Sequence, residues 1–147
     1  MSLTIRPIEP SDEAAWRALW TAYLEYYETS VPEEVYQTTF ARLLSADHPD
    51  QWGFLAVQGE TPVGLVHSIY HAHNWRVDRV CYLQDLYADP SVRGMGVGRK
   101  LIEAVYAQAD ADGCPSVYWM TQDFNHTARQ LYDRIAQLTP FIKYARS

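Results

Sequence analysis

The 147-residue sequence is poor in cysteine, in basic residues and in long apolar runs, and each shortage excludes a class of protein. Its two cysteines, Cys81 and Cys114, match no zinc-binding spacing. Twelve basic residues against eighteen acidic ones give a net charge of −6, which argues against a nucleic-acid partner because that partner requires a basic face. No run is long enough for a membrane span, and the N-terminus lacks the apolar stretch of a signal peptide. We therefore expect a cytoplasmic protein with no membrane partner.

Apolar and aromatic residues are plentiful. Apolar residues make up 48% of the chain, which is typical of a globular core, and the length predicts one domain over residues 1–147. Eleven tyrosines and five tryptophans exceed what a core of this size requires, so we expect some of them to line a groove.

Hydrophobic periodicity predicts the element order β-α-α-β-β-β-α-β-α-β. The last three elements are predicted as a strand over Ser116–Thr121, a helix over Asn125–Ile135 and a strand over Pro140–Tyr144. No internal repeat, linker or low-complexity tract interrupts this order.

The segment Arg93–Lys100 contains three of the seven glycines and lies between a predicted strand and a predicted helix. Glycines let the backbone turn tightly and leave N–H groups free, and a following helix N-terminus favours an anion such as a pyrophosphate. The spacing fits neither the Walker loop nor the dinucleotide-binding fingerprint. Considered alone, these glycines are equally well explained as a structural strand-to-helix turn.

Three segments together resemble the GNAT family of N-acetyltransferases. Arg93-Gly-Met-Gly-Val-Gly98 matches the family's coenzyme A signature, Arg/Gln-x-x-Gly-x-Gly/Ala. Tyr82–Ala88 looks like the family's central strand, and Asn125-x-x-Ala-x-x-Leu-Tyr132 looks like its last helix. The resemblance covers nearly the whole chain. It is strongest to the branch that acetylates polyamines, thialysine, D-amino acids and histones.

This resemblance implies an α+β fold with a mixed, mostly antiparallel, splayed sheet flanked by helices. It also implies that acetyl-CoA, the acetyl donor, lies in the split of the sheet, and that no metal takes part. The family positions that hold this donor correspond here to Leu86, Tyr87 and Ala88 along the pantetheine, and to Arg93, Gly94, Met95, Gly96, Val97, Gly98 and Arg99 around the pyrophosphate. Asn125 would contact the pantetheine arm, cap the last helix, or do both. A homodimer is a further expectation from similar proteins.

Tyr132 is the candidate general acid, because the matching family position supplies a phenol that protonates the departing thiolate. Its spacing with Ala128 and Ile135 on the predicted helix is also that of a core tyrosine. The resemblance favours the catalytic interpretation.

The sequence departs from the family at the position of the general base. In the polyamine and thialysine branch the strand carries Leu-Glu-Asp, whose Glu is the proposed base, whereas this chain has Leu83-Gln84-Asp85. Gln84 occupies that catalytic position but cannot accept a proton. Neighbours on a regular strand point to opposite faces, so Asp85 could replace the Glu only if a bulge intervenes. Asp85 is instead expected to bind the acceptor's positive charge while water takes the proton; an ordinary strand carboxylate is the alternative.

The end of the first helix corresponds to the mouth of the family's acceptor site. Tyr26 and Glu28 are candidate acceptor-binding residues there, because aromatic and acidic groups suit a cation. His71 and His73 share a strand face but lack a third ligand, so we interpret them as a solvated hairpin. The expected function is acetyl transfer to the primary amine of a small cationic acceptor, namely a polyamine, a lysine-like amine or an amino acid. The alternatives are a protein lysine or N-terminus as acceptor, or a non-catalytic acyl-CoA sensor, which Gln84 favours and Tyr132 disfavours.

Overall fold

The computed structural model describes residues 2–146. The helices and strands in this part of the chain follow in the order β1 (Leu3–Pro7), α1 (Glu13–Tyr26), α2 (Glu33–Leu44), β2 (Gln51–Gln58), β3 (Thr61–His71), β4 (Val80–Ala88), α3 (Val97–Ala111), β5 (Val117–Tyr118) and α4 (His126–Ile135). Short 3-10 turns at Pro10–Asp12 and Pro90–Val92 precede α1 and the glycine segment.

The strands form one sheet in chain order, with β1 to β4 antiparallel and β5 parallel to β4. The parallel ladder contains only two residue pairs, Cys81 with Val117 and Tyr82 with Tyr118. Beyond Tyr82 the two strands separate, so the outer edge of β4 from Leu83 to Ala88 has no strand partner among residues 2–146. The predicted mixed and splayed sheet is confirmed.

Both faces of the sheet are buried, because β2 and β3 carry nearly continuous apolar runs rather than alternating ones. Helices α1 and α2 cover one face of the sheet. There the fully buried Trp16 of α1 packs in one cluster with Leu55 and Leu65. Leu101 and Val105 of α3 pack against the other face, where α4 also contributes half-buried side chains. Truncation of a buried side chain as large as Trp16 costs ~3–5 kcal/mol.

The predicted strand over Pro140–Tyr144 is wrong. This segment has no regular structure, and Phe141, Ile142 and Tyr144 are between 76% and 90% exposed. Its alternation is that of a strand, but β5 at the edge of the sheet is only two residues long, shorter than the predicted Ser116–Thr121, and so it offers almost no ladder for another strand. No helix among the described residues is long and apolar enough to cross a membrane.

Candidate active site

A β-bulge in β4 places the two polar residues of the central strand. His67 of β3 pairs with Asp85, whereas the next residue, Ser68, pairs with Leu83. Gln84 is therefore the extra residue of the bulge and is exposed. The bulge breaks the strict alternation of side chains, so that Asp85 is buried on the face covered by α1, where Trp20 reaches it.

Two nitrogen donors hold the carboxylate of Asp85. His67 Nδ1 lies 2.8 Å from Asp85 Oδ2, and Trp20 Nε1 donates to the same oxygen at 3.3 Å. The side chain of Asp85 keeps 11% of its surface exposed. A buried carboxylate must be compensated by donors, and the phenol of Tyr23 adds a further hydrogen-bonding contribution beside these two bonds to Oδ2.

Phenols surround this carboxylate. Burial, followed by the charge of Asp85, raises the pKa of the Tyr23 phenol, and the same two causes raise the pKa of Tyr82. Burial raises the pKa of Tyr27 as well, with contributions from Tyr26 and Asp85. The site therefore contains one anion inside a wall of neutral aromatic rings, an arrangement that favours a cation.

Tyr132 lies on α4, and its ring packs edge-on against Trp119 at a centroid distance of 5.4 Å. Burial raises the pKa of Tyr132 to about 12, with smaller contributions from Tyr27 and Tyr26. Asp85 thus contributes to the raised pKa of Tyr27 at the end of α1, and Tyr27 contributes to the raised pKa of Tyr132.

The glycine segment presents free backbone amides at the start of α3. Gly94 and Gly96 have positive φ angles of 84° and 75°, a conformation that favours glycine. The first helical bond runs from the Lys100 amide to the Gly96 carbonyl, so the amides of residues 96–99 have no backbone acceptor in the part of the chain that the structure describes. A Cβ added at Gly98 would meet only Leu131 Cδ2, at 3.9 Å. The loop is thus open on the side that an anion would approach.

Positive charge accompanies these amides. Arg93, Arg99 and Lys100 are exposed, and Arg99 approaches only Glu103, at 3.8 Å. At the start of α4, Asn125 Oδ1 accepts a hydrogen bond from the Ala128 amide at 3.4 Å, so its predicted capping role is confirmed.

The fold and the candidate site agree with the family that a comparison with protein-family models finds. The model of the acetyltransferase (GNAT) family matches residues 16–136. The chain belongs to this family. The predicted family, enzyme class and fold are confirmed.

Curated relatives narrow the position within the GNAT family. The D-amino-acid N-acetyltransferase HPA3 of Saccharomyces cerevisiae is 43% identical over 147 residues, which cover 99% of this chain and 91% of that protein. A thialysine N-epsilon-acetyltransferase of Caenorhabditis elegans is 34% identical over 83 residues, covering 56% of this chain and 51% of the relative. The chain is thus similar to two kinds of amine acetyltransferase.

Among solved structures, the aminoglycoside N-acetyltransferase AAC(6')-Iy in complex with the bisubstrate analogue CoA-S-monomethyl-acetylneamine superposes with a TM-score of 0.86. The match covers 100% of this chain and 99% of that chain. At 19% identity it shows the shared GNAT fold alone.

Two residues expected at the acceptor mouth lie at the end of α1. Tyr26 is 61% exposed and packs edge-on against Tyr27 at 5.1 Å. Glu28 is exposed, has a positive φ of 57°, and lines a shallow depression with Glu25 and Thr29. Tyr26 contributes to the raised pKa of Tyr132, whereas the backbone amide of Glu28 donates to the Glu25 carbonyl at 2.9 Å. Both acceptor-binding roles stay predictions.

The hairpin histidines do not form a metal site. His71 Nε2 lies 2.7 Å from the Tyr118 hydroxyl, and its Nδ1 donates to the Ala72 carbonyl at 2.8 Å. His73 instead packs edge-on against Trp75. No group of three or more histidine, cysteine or acidic side chains that could hold a metal occurs among residues 2–146.

Sequence reasoning did not single out four residues of the site, namely His67, Trp16, Trp20 and Tyr23. In the structure Trp20, Tyr23 and His67 lie around Asp85, and Trp16 is linked to it through its hydrogen bond to His67. One signal was available in the sequence, since the polar pair His67 and Ser68 interrupts an otherwise apolar run in β3. A polar residue in such a run must find a buried partner.

Proposed function

We propose that the protein transfers the acetyl group of acetyl-CoA to the primary amine of a small cationic acceptor by direct attack on the thioester. The observation that carries this proposal is the buried carboxylate of Asp85 within a wall of phenols, one of which, Tyr27, also neighbours Tyr132. This arrangement provides an anchor for a cation beside a candidate proton donor. The curated relatives, named for D-amino-acid and thialysine acetylation, are consistent with such an acceptor.

The donor is expected to lie across the split of the sheet. The amides of residues 96–99, with Arg93 and Lys100 nearby, fit a pyrophosphate at a helix N-terminus. The unpaired edge of β4 offers backbone groups of Leu86, Tyr87 and Ala88 to the amide-containing pantetheine, which would bind like an added strand. Asn125 caps the N-terminus of α4, and from this position its side chain is expected to contact the same arm.

The acceptor amine must lose a proton before it attacks. An alkyl ammonium with a pKa near ~10.4 is about one part in a thousand neutral at pH 7.4, which costs roughly 4 kcal/mol. Asp85 is held by two protein donors, which fits it to orient the ammonium while water takes the proton. Gln84 is exposed and has no basic atom, and it is expected to position the water that takes the proton.

Tyr132 is suited to protonate the leaving group. With a pKa of about 12, its phenol is fully protonated at neutral pH. Complete transfer of this proton to a thiolate that keeps its solution pKa of ~8.5 would be uphill by roughly 5 kcal/mol. Burial of the sulfur disfavours the thiolate and so reduces the free-energy cost of this proton transfer. The phenol thus donates a hydrogen bond first, and the proton crosses as the carbon–sulfur bond breaks; the tyrosinate then recovers a proton from the newly acylated nitrogen.

A screen for thiol release from acetyl-CoA tests this proposal. The acceptors are spermidine, thialysine, lysine, both enantiomers of several amino acids and a basic peptide, with an Asp85→Asn variant as control. The expected result is turnover of at least one small amine, with a strong loss in the control. Binding of acetyl-CoA without turnover of any acceptor would instead identify a sensor, and turnover of the peptide alone would identify a protein acetyltransferase. A cytoplasmic location and a homodimer stay predictions.

A further inference from the structure

His67 is a buried histidine whose two ring nitrogens both have partners. Its surface is 4% exposed. Nε2 accepts a hydrogen bond from Trp16 Nε1 at 2.8 Å, and Nδ1 lies 2.8 Å from Asp85 Oδ2. The chain Trp16–His67–Asp85 therefore links the fully buried centre of α1 to the carboxylate in the bulge of β4.

The donors and acceptors along this chain determine the tautomer of His67. An indole N–H can only donate, so Nε2 of His67 carries no proton. The ring must then hold its single proton on Nδ1, and this proton is donated to the carboxylate of Asp85. Since Nε2 is occupied by Trp16, His67 has no free nitrogen with which to act as a base itself.

We propose that His67, held in its Nδ1–H tautomer by Trp16, is a positioning residue that orients Asp85 for the ammonium group of the acceptor. The inference rests on the proposed function, because it assumes that Asp85 binds the acceptor. Asp85 follows a bulge, where the ladder is disrupted and the backbone constrains the side chain less. The bond from His67 is shorter than the 3.3 Å bond from Trp20 and is the stronger constraint on Oδ2. With Oδ2 held there, Oδ1 is the oxygen that would meet the ligand, beside the phenol of Tyr23.

Two substitutions separate this role from simple packing. In His67→Asn the side-chain amide occupies the place of Nδ1, so it still donates to Asp85 but loses the bond from Trp16. In His67→Gln the amide reaches the place of Nε2, so it still accepts from Trp16 but loses the bond to Asp85. Both variants bury an amide at the same position. If His67 had only a structural role, both would lose similar amounts of stability and activity.

The first readout needs no acceptor. Nitrogen-15 NMR of the histidine ring at pH 7.5 is expected to show the Nδ1–H tautomer in wild type. The carbonyl-region carbon-13 signal of the Asp85 side chain is expected to shift in His67→Gln and to stay near the wild-type position in His67→Asn. A wild-type ring protonated on Nε2 would overturn the inference.

The second readout is kinetic, with whichever of thialysine, spermidine and D-phenylalanine the wild type turns over. We expect His67→Gln to raise the acceptor KM by about tenfold, with kcat and the acetyl-CoA KM within about twofold of wild type. His67→Asn should keep all three near wild type. If His67→Asn fails to fold, Trp16→Phe replaces it, because this change likewise removes the bond from Trp16 and leaves Nδ1 of His67 to donate to Asp85.

The outcomes distinguish two failures. Equal acceptor KM values in the two variants of an active enzyme would overturn the positioning role and leave the proposed function intact. A wild type that turns over no acceptor would remove the proposed function and, with it, this role for His67. A rise in the acceptor KM of His67→Gln, without a rise in His67→Asn, supports both the proposed function and the positioning role.

Discussion

Tyr82 and Tyr118 are the last paired residues of β4 and β5, and their rings stack with centroids 4.8 Å apart and planes 9° from parallel. Immediately beyond this pair the two strands separate. The stack therefore closes one end of the split in which we propose that acetyl-CoA binds. Its outer ring, Tyr118, is also tied to His71 by a 2.7 Å contact.

Loss of this stack should loosen the cleft. We expect Tyr118→Ser to lower the free energy of unfolding by ~1 kcal/mol, the usual value of an aromatic pair, and to weaken acetyl-CoA binding severalfold. Tyr118→Phe keeps the ring and loses only the contact with His71, so it serves as the control. Urea denaturation and calorimetric titration measure the two effects. Identical behaviour of the Ser and Phe variants would show that the stack does not hold the split.

A substitution at Gly98 should separate stability from donor binding. Gly98 is the second residue of α3, and a Cβ there has open space in the free protein. Gly98→Ala should therefore raise the stability by up to ~1 kcal/mol through helix propensity. The same methyl group should obstruct the close approach of a pyrophosphate and raise the Kd for acetyl-CoA at least tenfold. A variant that is more stable yet binds acetyl-CoA normally would remove the donor from this loop.

Charge at the acceptor site gives a third prediction. Asp85→Asn should raise the acceptor KM by one to two orders of magnitude, because a buried charge-assisted contact is lost, and should leave the acetyl-CoA Kd unchanged. It should also flatten the salt dependence of kcat/KM, since less attraction remains to be screened. Glu28→Gln should have the same effects in weaker form, as befits an exposed carboxylate.

The matched control for these two variants is Glu60→Gln, which removes an exposed charge in the β2–β3 turn. It should leave KM and the salt slope at their wild-type values. If all three variants change the salt slope equally, the effect belongs to the net charge of −6 and not to a site.

The raised pKa of Tyr132 predicts how stability depends on pH. Folding raises this pKa from about 10 in the unfolded chain to about 12, because burial favours the neutral phenol. Its contribution to stability is therefore fully present below pH 10 and is lost as the pH rises toward 12. Denaturation between pH 9 and 11.5 should show a decline that is smaller in Tyr132→Phe. Parallel curves would show that the phenol is not buried as described.

Much of this arrangement follows from the sequence. The order of elements up to α4 and the glycine turn before α3 were predicted from apolar periodicity and turn residues, which act locally. The strand over Pro140–Tyr144 was predicted by the same kind of pattern and is wrong, because a strand also needs a partner and its alternation does not show whether one is present.

The environment of Asp85 could not be predicted in the same way. The hydrogen bonds from Trp20 and His67 join positions 65 and 18 residues away along the chain, and the bulge at Gln84 that permits them leaves no local signature. Regular alternation would have put Gln84 and Asp85 on opposite faces. A single extra residue in the register thus decides which face of the sheet carries the carboxylate of Asp85.

The most direct test of the account is kcat for Tyr132→Phe at saturating acetyl-CoA and acceptor, with the stability of the same variant measured alongside. Removal of the hydroxyl alone keeps the packing of the ring against Trp119. If Tyr132 is the general acid, kcat falls by about tenfold to a thousandfold, the acetyl-CoA Kd is nearly unchanged and little stability is lost. A variant that is destabilised by about 1 kcal/mol, as expected when a core tyrosine loses a hydrogen bond, and yet turns over at the wild-type rate would contradict this role.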